Sequence, residues 1–542
     1  MPWKPVRRQQ RRRTAGAGAG AGQELRRTRP RRRAPGRALT PPTSVIVGGG
    51  LAGATPAATL REESFDGRIM LIGAEDHPPY ERPPLSKEYL RGEAPFENGY
   101  VRPPDFYDEN GIKARLGTRA ARVEPSERVV ELEDGERVRY DKLLLATGGR
   151  NRRLTVPGVD LEGVYDLRTV EGADRLRAAA EPRRRAVVVG MGFIGSEITA
   201  SLRQLGVEVE VVAPGSAPLE RVLGEEVGAV LEKIHREHGV ELHFGDPAAA
   251  FEGVDRVERL VTVAGRRIEC DFAVVGVGIE PVTELAAGTG IELENGILVD
   301  EYCRTNVDGI YAAGDVANHF NPVFGRRIRV EHWDNARKQG SAAARSMLGK
   351  AEPYEEVYWF WSDQYDTNLQ YAGFHTSWDE LVVRGSLEER SFVAFYCTEG
   401  RVLAAVAVNR GKDLRRSIPL ISHLVVPVRV SHLHFLTDDE ADERREAEES
   451  LSISVGLLRQ RGISTTAMVG SDKPLESMTD ALGSFPATRV LLVTPPKEEA
   501  YWLERGLLAK ARALTKLPVT QIVVPSAAPV GPTSEARRAV PI

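Results

Sequence analysis

The sequence predicts an α/β fold with two separate parallel sheets, each beginning at a glycine-rich turn. The first observation is an apolar strand that runs into a G-x-G-x-x-G turn and a helix-length segment, at residues 44–53. The second is the same strand and turn at residues 186–195. The third is the length of 542 residues, which is too great for one compact core and predicts three or four domains.

The first glycine-rich turn has the features of a dinucleotide-binding site. Gly48 permits the tight turn, Gly50 lets the backbone approach a pyrophosphate, and Gly53 allows close packing of the helix on the strand. Ala52 lies in the same turn, where the free N–H groups of the helix N-terminus bind phosphate. Glu75 follows the next apolar strand, where an acidic side chain accepts hydrogen bonds from an adenosine ribose.

The second glycine-rich turn repeats the pattern with Gly190, Gly192 and Gly195. A helix with apolar residues at helical spacing follows, and then another apolar strand. That strand ends at Ala213, where an acidic residue would otherwise bind the ribose 2′-hydroxyl of NAD. No basic residue that could bind a 2′-phosphate occurs before Arg221, so the choice between NADH and NADPH stays open.

Two fingerprints in one chain indicate two dinucleotides. Nicotinamide donates a hydride and diffuses away, whereas a flavin stays bound and can release electrons singly. The sequence therefore predicts a flavoprotein reductase that uses FAD and NADH or NADPH, and not a simple dehydrogenase.

The composition is typical of a soluble globular protein, with 42% hydrophobic and 28% charged residues. No apolar run reaches the roughly 18–20 residues that a membrane-spanning helix needs, so no membrane partner is expected. The net charge is −4, yet residues 1–43 alone hold twelve arginines and one lysine against one glutamate. The rest of the chain is acidic, which argues against nucleic acid as the main partner.

Residues 1–43 are rich in arginine, alanine and glycine and contain few large apolar side chains. This composition predicts a disordered tail. No apolar stretch follows the basic residues, as a secretory signal would require. A nucleic-acid-binding tail and an over-extended start codon are alternatives, and we favour a dispensable tail.

The three cysteines, Cys270, Cys303 and Cys397, are far apart and form no C-x-x-C pair. A disulfide framework and a zinc site are therefore not expected, and we predict no metal site. Low cysteine content without such pairs is typical of reducing cytoplasm, which is the expected location.

Five ordered motifs carry a resemblance to a known family. They are PYERPPLSK at 79–87, LLLATG at 143–148, GIYAAGDVA at 309–317, VEHWDNA at 330–336 and WFWSDQY at 359–365. With them, residues 44 to about 415 resemble the FAD-dependent ferredoxin, rubredoxin and putidaredoxin reductases. These are relatives of apoptosis-inducing factor with the pyridine nucleotide-disulfide oxidoreductase fold.

The resemblance implies a layout of two Rossmann-like domains, with the NAD domain inserted in the FAD domain. A small α+β reductase domain follows, and its strands are expected at 380–384, 392–397 and 402–408. The implied segments are 44–155 and 282–348 for FAD, 156–281 for NAD(P), and 349–415 for the C-terminal reductase domain.

The resemblance also assigns cofactor contacts. Asp315 ends a strand, where its carboxylate would bind the ribityl hydroxyls of FAD; an ordinary helix N-cap is the alternative. Arg150 and the backbone of residues 146–148 resemble the family's second contact with FAD, and Ala120 resembles a position that contacts adenine. Outside the glycine-rich turns, the expected cofactor-binding residues are Glu75, Lys87, Ala120, Ala146, Thr147, Gly148, Arg150, Glu197, Gly278, Asp315 and Trp333.

Three residues are expected to act in hydride transfer because of the resemblance. Lys87 would lie beside the flavin N5 atom, stabilise negative charge on the reduced flavin and orient its ring. Glu197 resembles the glutamate that pairs with that lysine, since an unpartnered buried lysine would cost several kcal/mol or lose its proton. Trp333 resembles an aromatic residue packed near the isoalloxazine ring.

The electron acceptor is expected to be a separate molecule. Related flavoproteins reduce disulfides through a cysteine pair beside the flavin, and this sequence has no such pair. The resemblance implies a ferredoxin-type iron–sulfur carrier as partner of a monomer or homodimer. An NADH oxidase or small-acceptor reductase, and a redox sensor like apoptosis-inducing factor, are the alternatives.

The segment after residue 416 shows alternating strands and helices at the spacing of a small parallel α/β domain. Strands are expected at 424–430, 464–469, 489–493 and 519–524, and helices at 438–460, from 474 and at 498–515. Residues 416–526 resemble a universal-stress-protein domain, but the G-x₂-G-x₉-G-[S/T] loop of its nucleotide-binding form is absent from the sequence. We therefore expect an interaction or regulatory module. Residues 527–542 are expected to form a flexible tail.

Overall fold

The computed structural model describes residues 41–350, 352–398, 401–422, 490–494, 512–513 and 519–523. The first 40 residues of the predicted N-terminal tail and the predicted tail at 527–542 lie outside these residues. So do the C-terminal elements expected at 424–430, 438–460 and 464–469, the helix from 474, and most of the helix at 498–515.

The first sheet is parallel and holds five strands in the order Ile310–Ala312, Lys142–Leu145, Thr43–Val47, Arg68–Ile72, Ile112–Arg115. The central strand is completely apolar from Val45 to Val47 and buried, as expected of a parallel strand covered on both faces. The edge strand Ile310–Ala312 comes from a part of the chain beyond the second sheet. The first sheet is therefore built from two separate segments of the sequence.

Two helices pack closely against each other beside the first sheet. They are Leu51–Glu62, which follows the first glycine-rich turn, and Trp333–Met347. Their close approach depends on small residues, because a Cβ at Gly340 would lie 3.2 Å from the carbonyl oxygen of Ala52. A short helix, Phe106–Glu109, precedes the last strand of this sheet, and 3₁₀ turns form at Pro83–Ser86 and Phe96–Gly99.

The second sheet has the same design. Its five parallel strands run in the order Glu241–Phe244, Glu208–Ala213, Arg185–Val189, Phe272–Val275, Val164–Asp166. Its helices are Val170–Ala179, Phe193–Gln204 and Glu220–Glu237. Helix Phe193–Gln204 ends just before Gly206, whose positive φ of 83° continues the chain into the next strand as the sequence predicts.

Small sheets connect and extend the two large ones. Three antiparallel strands lie at Ala120–Glu124, Val129–Leu132 and Arg137–Arg139, and three more at Ala248–Glu252, Arg259–Thr262 and Arg267–Glu269. Gly149–Asn151 pairs with Ile279–Pro281, so the chain leaves the first sheet and returns to it along one two-stranded ribbon. The last group is Ile297–Val299, Ala317–Asn321 and Arg326–Arg329.

The C-terminal sheet is antiparallel, in the order Trp359–Gln364, Thr367–Gly373, Arg401–Val408, Ser391–Thr398, Glu380–Ser386. One face packs on helix Glu220–Glu237, and Leu223, Val227 and Leu231 join Phe392 and Val406 in one apolar cluster. Its other face packs on helix Gly411–Ser422. Helix Gly411–Ser422 continues past residue 415, the expected end of the reductase C-terminal domain. This domain therefore extends at least to the last turn of the helix.

Two short strands are described further on. Val490–Thr494 pairs in parallel with Val519–Val523, with Val490 opposite Val519. Both strands lie where the sequence predicts them, at 489–493 and 519–524. Among the described residues, no helix is both long and apolar enough to cross a membrane.

Candidate active site

Both glycine-rich turns have backbone geometry that only glycine fits. Gly48 has a φ of 128°, and a Cβ there would lie 2.0 Å from the carbonyl oxygen of Ala146. Gly190 has a φ of 97°, and a Cβ there would lie 2.5 Å from the Gly276 oxygen. A Cβ at Gly53 would meet the oxygen of Gly48 at 1.8 Å, which is the predicted close packing of helix on strand.

The helix N-termini that follow these turns are open to a ligand. Gly50 and Gly192 are the N-cap residues, neither helix has a side-chain cap, and neither has an acidic residue in its first turn. A Cβ at either glycine would meet no atom within 4 Å. Free N–H groups, a positive helix end and open space are the features that bind a pyrophosphate.

Glu75 lies past the carboxyl end of strand Arg68–Ile72, where the ribose contact is expected. Its Oε1 atom accepts a hydrogen bond from Arg82 Nη2 at 2.7 Å, and its Oε2 atom accepts one from the Tyr80 hydroxyl. Burial raises the pKa of Tyr80, so this hydroxyl keeps its proton and donates. Glu75 is therefore fixed in orientation by two donors at the sheet edge.

Asp315 forms an ion pair that the sequence did not reveal. Its Oδ2 atom lies 2.9 Å from Arg168 Nη2, and both side chains are mostly buried, at 16% and 25% exposed. Arg168 Nε also donates to the Gly149 oxygen at 3.0 Å. Arg168 thus lies between Asp315 and the backbone near Gly148, where the family's second FAD contact was expected.

Arg150, which is expected to contact FAD, lies at the surface and pairs with two glutamates. Its side chain is 54% exposed, and it pairs with Glu280 at 2.7 Å and also with Glu284. It lies on the ribbon Gly149–Asn151, directly opposite Glu280. The structure thus places Arg150 at the surface of the ribbon, while Arg168 lies beside Asp315; the FAD contact expected of Arg150 stays a prediction.

The other expected cofactor contacts, Ala120, Ala146, Thr147 and Gly278, lie in separate segments around the first sheet. Ala120 and Ala146 are buried. The Thr147 hydroxyl donates to the Val282 oxygen at 2.6 Å, which joins the two segments of the first domain. Gly278 has a φ of 93°, and its oxygen accepts a hydrogen bond from Arg152 at 2.9 Å.

Lys87 and Glu197 form a buried ion pair between the two nucleotide-binding parts of the chain. Lys87 follows the turn Pro83–Ser86, and Glu197 lies on helix Phe193–Gln204, one turn into the second fingerprint. Lys87 Nζ is 2.6 Å from Glu197 Oε2, with the side chains 8% and 4% exposed. The two residues that the family resemblance placed together are in direct contact.

Both oxygens of Glu197 accept further hydrogen bonds. Ser86 Oγ donates to Oε2 at 2.5 Å, and Ser362 Oγ donates to Oε1 at 2.8 Å. Ser362 belongs to strand Trp359–Gln364 and is not among the site residues expected from the sequence. The signal was present, since the alternation of the WFWSDQY motif places Phe360, Ser362 and Gln364 on one face.

Trp333 begins helix Trp333–Met347 and is half-buried. Its ring packs edge-on to Trp361, with ring centroids 5.6 Å apart, and Arg337 lies 5.5 Å from the centre of the Trp333 ring. These contacts fix the indole in one orientation between the first domain and the C-terminal sheet.

Polar atoms near Asp315 fit a polar cofactor. Within the described part of the chain, Gln339 Nε2 and His332 Nδ1 are buried without a hydrogen-bond partner. Gln339 Oε1 accepts from the Gly314 N–H at 2.8 Å, so its amide is directed at the turn before Asp315. Burial lowers the pKa of His332 to about 4 and keeps its ring neutral. Buried polar atoms without partners are uncommon, and an FAD-like ligand would satisfy them.

The chain belongs to the pyridine nucleotide-disulphide oxidoreductase family, whose profile matches residues 42–340. Residues 359–434 match the reductase C-terminal family. A relative from Sphingobium sp., the ferredoxin reductase subunit of 5,5'-dehydrodivanillate O-demethylase, is 41% identical over 68% of this chain and 90% of its own length.

Two further similar proteins also carry reductase names. The ferredoxin–NAD(+) reductase component of the anthranilate 1,2-dioxygenase system of Burkholderia cepacia is 40% identical over 71% of this chain and 95% of its own length. The solved structure of a covalent putidaredoxin reductase–putidaredoxin complex is similar with a TM-score of 0.70 and 35% identity, over 76% of this chain and 98% of that one.

Proposed function

We propose that this chain is an FAD-dependent reductase that takes hydride from NADH or NADPH and delivers electrons to a ferredoxin-type iron–sulfur protein. The observation that carries the proposal is the buried pair of Lys87 and Glu197, which joins the first fingerprint region to the second at 2.6 Å. A structural ion pair could lie anywhere in the chain. This one lies where the two nucleotide-binding parts meet, and both partners are withdrawn from water.

The first fingerprint and its neighbours would hold FAD. The open helix N-terminus after Gly50 would bind the pyrophosphate, Glu75 the adenosine ribose, and Asp315 the ribityl chain. We assign Arg168 to the FAD site beside Asp315 because their ion pair is 2.9 Å long and mostly buried. Bound FAD supplies the chemistry of accepting a hydride and releasing single electrons.

The second fingerprint would hold the nicotinamide dinucleotide, with its pyrophosphate at the helix N-terminus after Gly192. Lys87 would keep a positive charge beside the flavin ring, where negative charge develops on reduction. Glu197 would keep the Lys87 ammonium group in place and satisfy its charge in a site closed to water. Trp333 would cover the ring from the side of helix Trp333–Met347.

The electrons would leave to a separate protein. Cys270, Cys303 and Cys397 are all buried and free, and burial raises the pKa of Cys270 to about 12. Protonated, buried thiols are poor redox relays. The curated relatives reported above carry ferredoxin reductase names, which supports a ferredoxin-type acceptor for this chain too.

We also propose a cytoplasmic location, no role for nucleic acid as main partner, and a monomer or homodimer. For the C-terminal segment, expected at 416–526, we propose an added parallel α/β module similar to a universal-stress protein. Helix Gly411–Ser422 packs on the reductase sheet, so this module would begin later than residue 416. The parallel pairing of Val490–Thr494 with Val519–Val523 supports such a module.

The test is cytochrome c reduction by the purified, FAD-loaded protein with NADH or NADPH, with and without an added [2Fe–2S] ferredoxin. The proposal expects turnover that depends on ferredoxin. Rapid turnover with oxygen or a quinone but no response to ferredoxin would favour a small-acceptor reductase. A long-lived reduced complex with NAD and negligible turnover would favour a redox sensor and overturn the proposal.

A further inference from the structure

Strand Trp359–Gln364 presents two different faces to the rest of the chain. Trp359 and Trp361 lie on one face and stack with ring centroids 5.3 Å apart. Ser362 and Gln364 lie on the other face and are fully buried, at 0% and 1% exposed. Polar side chains are seldom so deeply buried without a partner that requires them. Ser362 donates to the carboxylate of Glu197, and Gln364 donates in turn to Ser362.

Glu197 is held from three separate parts of the chain. Helix Phe193–Gln204 carries it, the loop of Ser86 and Lys87 donates two hydrogen bonds to Oε2, and Ser362 donates one to Oε1 at 2.8 Å. Among these contacts, only the hydrogen bond from Ser362 orients Oε1. Without it the carboxylate would be held through Oε2 alone, and the longer hydrogen bond from Lys87 Nζ to the Pro83 oxygen, at 3.3 Å, would be left to orient the lysine.

The Ser362 hydroxyl is in turn oriented by a chain of hydrogen bonds. Gln364 Nε2 donates to Ser362 Oγ at 3.2 Å, which leaves Gln364 Oε1 facing His235 Nε2 at 3.0 Å. His235 Nε2 must therefore carry a proton. Burial lowers the pKa of His235 to about 4, so its ring is neutral and Nδ1 is an acceptor for the Tyr365 hydroxyl at 3.1 Å.

All four hydrogen bonds in this series are donated in the direction of Glu197. Tyr365 donates to His235, His235 to Gln364, Gln364 to Ser362, and Ser362 to the carboxylate. Tyr365 starts the chain from a left-handed backbone conformation with a φ of 56°, which is unfavourable for a non-glycine residue. Its ring also stacks on His238, with centroids 3.6 Å apart. This common direction suits a negatively charged last acceptor, here the Glu197 carboxylate, because successive hydrogen bonds polarise one another.

We propose that Ser362 and Gln364 are positioning residues for hydride transfer: they hold the Glu197 carboxylate in the orientation that keeps Lys87 at the flavin. The inference rests on the proposed function, since it needs Lys87 to act beside FAD. It gives the WFWSDQY motif a role in the reductive half-reaction and makes the C-terminal sheet part of the active site. Neither residue is assigned contact with a cofactor.

The experiment is rapid mixing of the FAD-loaded, full-length Ser362→Ala variant with increasing NADH, under anaerobic conditions. We expect the limiting rate of flavin reduction to fall about tenfold to a hundredfold, the range for losing one hydrogen bond to a buried charge. The apparent Kd for NADH should change less than twofold, because no nucleotide contact is removed. Ser362→Thr, which keeps the hydroxyl, should recover most of the rate.

The matched control is Ser346→Ala. Ser346 is also buried, at 4% exposed, and its hydroxyl has no hydrogen-bond partner in the described part of the chain. It should keep the wild-type rate. Gln364→Leu removes the next link and should slow the limiting rate by a smaller factor, which provides a second test if Ser362→Ala fails to fold.

The outcomes distinguish failure of the positioning role from failure of the proposed reductase function. A folded, FAD-containing Ser362→Ala variant with a limiting rate within twofold of wild type overturns the positioning role. If Ser362→Ala does not fold, a Gln364→Leu rate equal to wild type overturns it. If the wild-type protein itself is not reduced by NADH or NADPH, the proposed function fails instead.

Discussion

Replacing one partner of the Lys87–Glu197 pair should damage stability and activity in different ways. At 2.6 Å and an effective dielectric constant of about 20, the attraction between the two charges is about 6 kcal/mol. Much of this offsets the cost of removing both charges from water. Removal of one partner therefore leaves an uncompensated buried charge, which typically costs about 3–5 kcal/mol of stability.

The double variant Lys87→Met with Glu197→Gln separates the two effects. Because it leaves no unpaired charge, we expect it to melt at a higher temperature than either single variant. Flavin reduction should stay slow in all three. Loss of the positive charge at Lys87 alone should lower the rate constant by about a hundredfold to a thousandfold, as for removal of one electrostatic group from an active site.

The assay combines the thermal midpoint, followed by release of fluorescent flavin, with rapid mixing against NADH. Glu269→Gln is the control, because Arg259 and Glu269 form an ion pair at 2.9 Å that is 32% and 51% exposed. Such a surface pair contributes little to stability because water and salt screen it. A double variant that melts no higher than the more stable single variant, or a Lys87→Met variant that keeps the wild-type rate, would refute this prediction.

Three other predictions test the site assignments. Gly190→Val should abolish nicotinamide binding and leave FAD bound, since a Cβ there meets the Gly276 oxygen at 2.5 Å; loss of FAD instead would mean that the two sites are reversed. Arg168→Ala should weaken FAD binding about tenfold or more in a titration of the apoprotein with FAD. Replacement of the exposed Arg150 by alanine should leave the affinity within twofold of wild type. Equal effects of the two variants would contradict the assignment of Arg168 to the FAD site. Alkylation of the native protein with N-ethylmaleimide should not change turnover, because all three thiols are buried, and rapid inactivation would show a thiol in the electron path.

The sequence predicts those parts of the site that depend on local backbone geometry. Gly48 and Gly190 have positive φ because each begins a tight turn. The G-x-G-x-x-G spacing that identifies such a turn lies within ten consecutive residues, so it can be recognised in the sequence. The strands around them are apolar, so the two parallel sheets were also predictable. Lys87 and Glu197 are 110 residues apart, and only the family resemblance brought them together.

The contacts missed are those that depend on how sheets pack against each other. Ser362 and Glu197 are 165 residues apart, and Arg168 and Asp315 are 147 apart. Alternation groups Ser362 with Phe360 and Gln364 on one face of strand Trp359–Gln364, but it does not tell that this face meets helix Phe193–Gln204. Nor does the motif before Arg150 show that its side chain is half exposed and paired with Glu280.

The most direct test of electron transfer from NAD(P)H through this chain to an iron–sulfur protein is a two-stage anaerobic mixing experiment. The FAD-loaded protein is first reduced with one equivalent of NADH or NADPH and is then mixed with oxidised [2Fe–2S] ferredoxin. We expect fast loss of the oxidised-flavin absorbance in the first stage. In the second, two ferredoxins should be reduced for each flavin reoxidised, since each cluster takes one electron. A flavin that NAD(P)H reduces but that stays reduced in the presence of ferredoxin would contradict it.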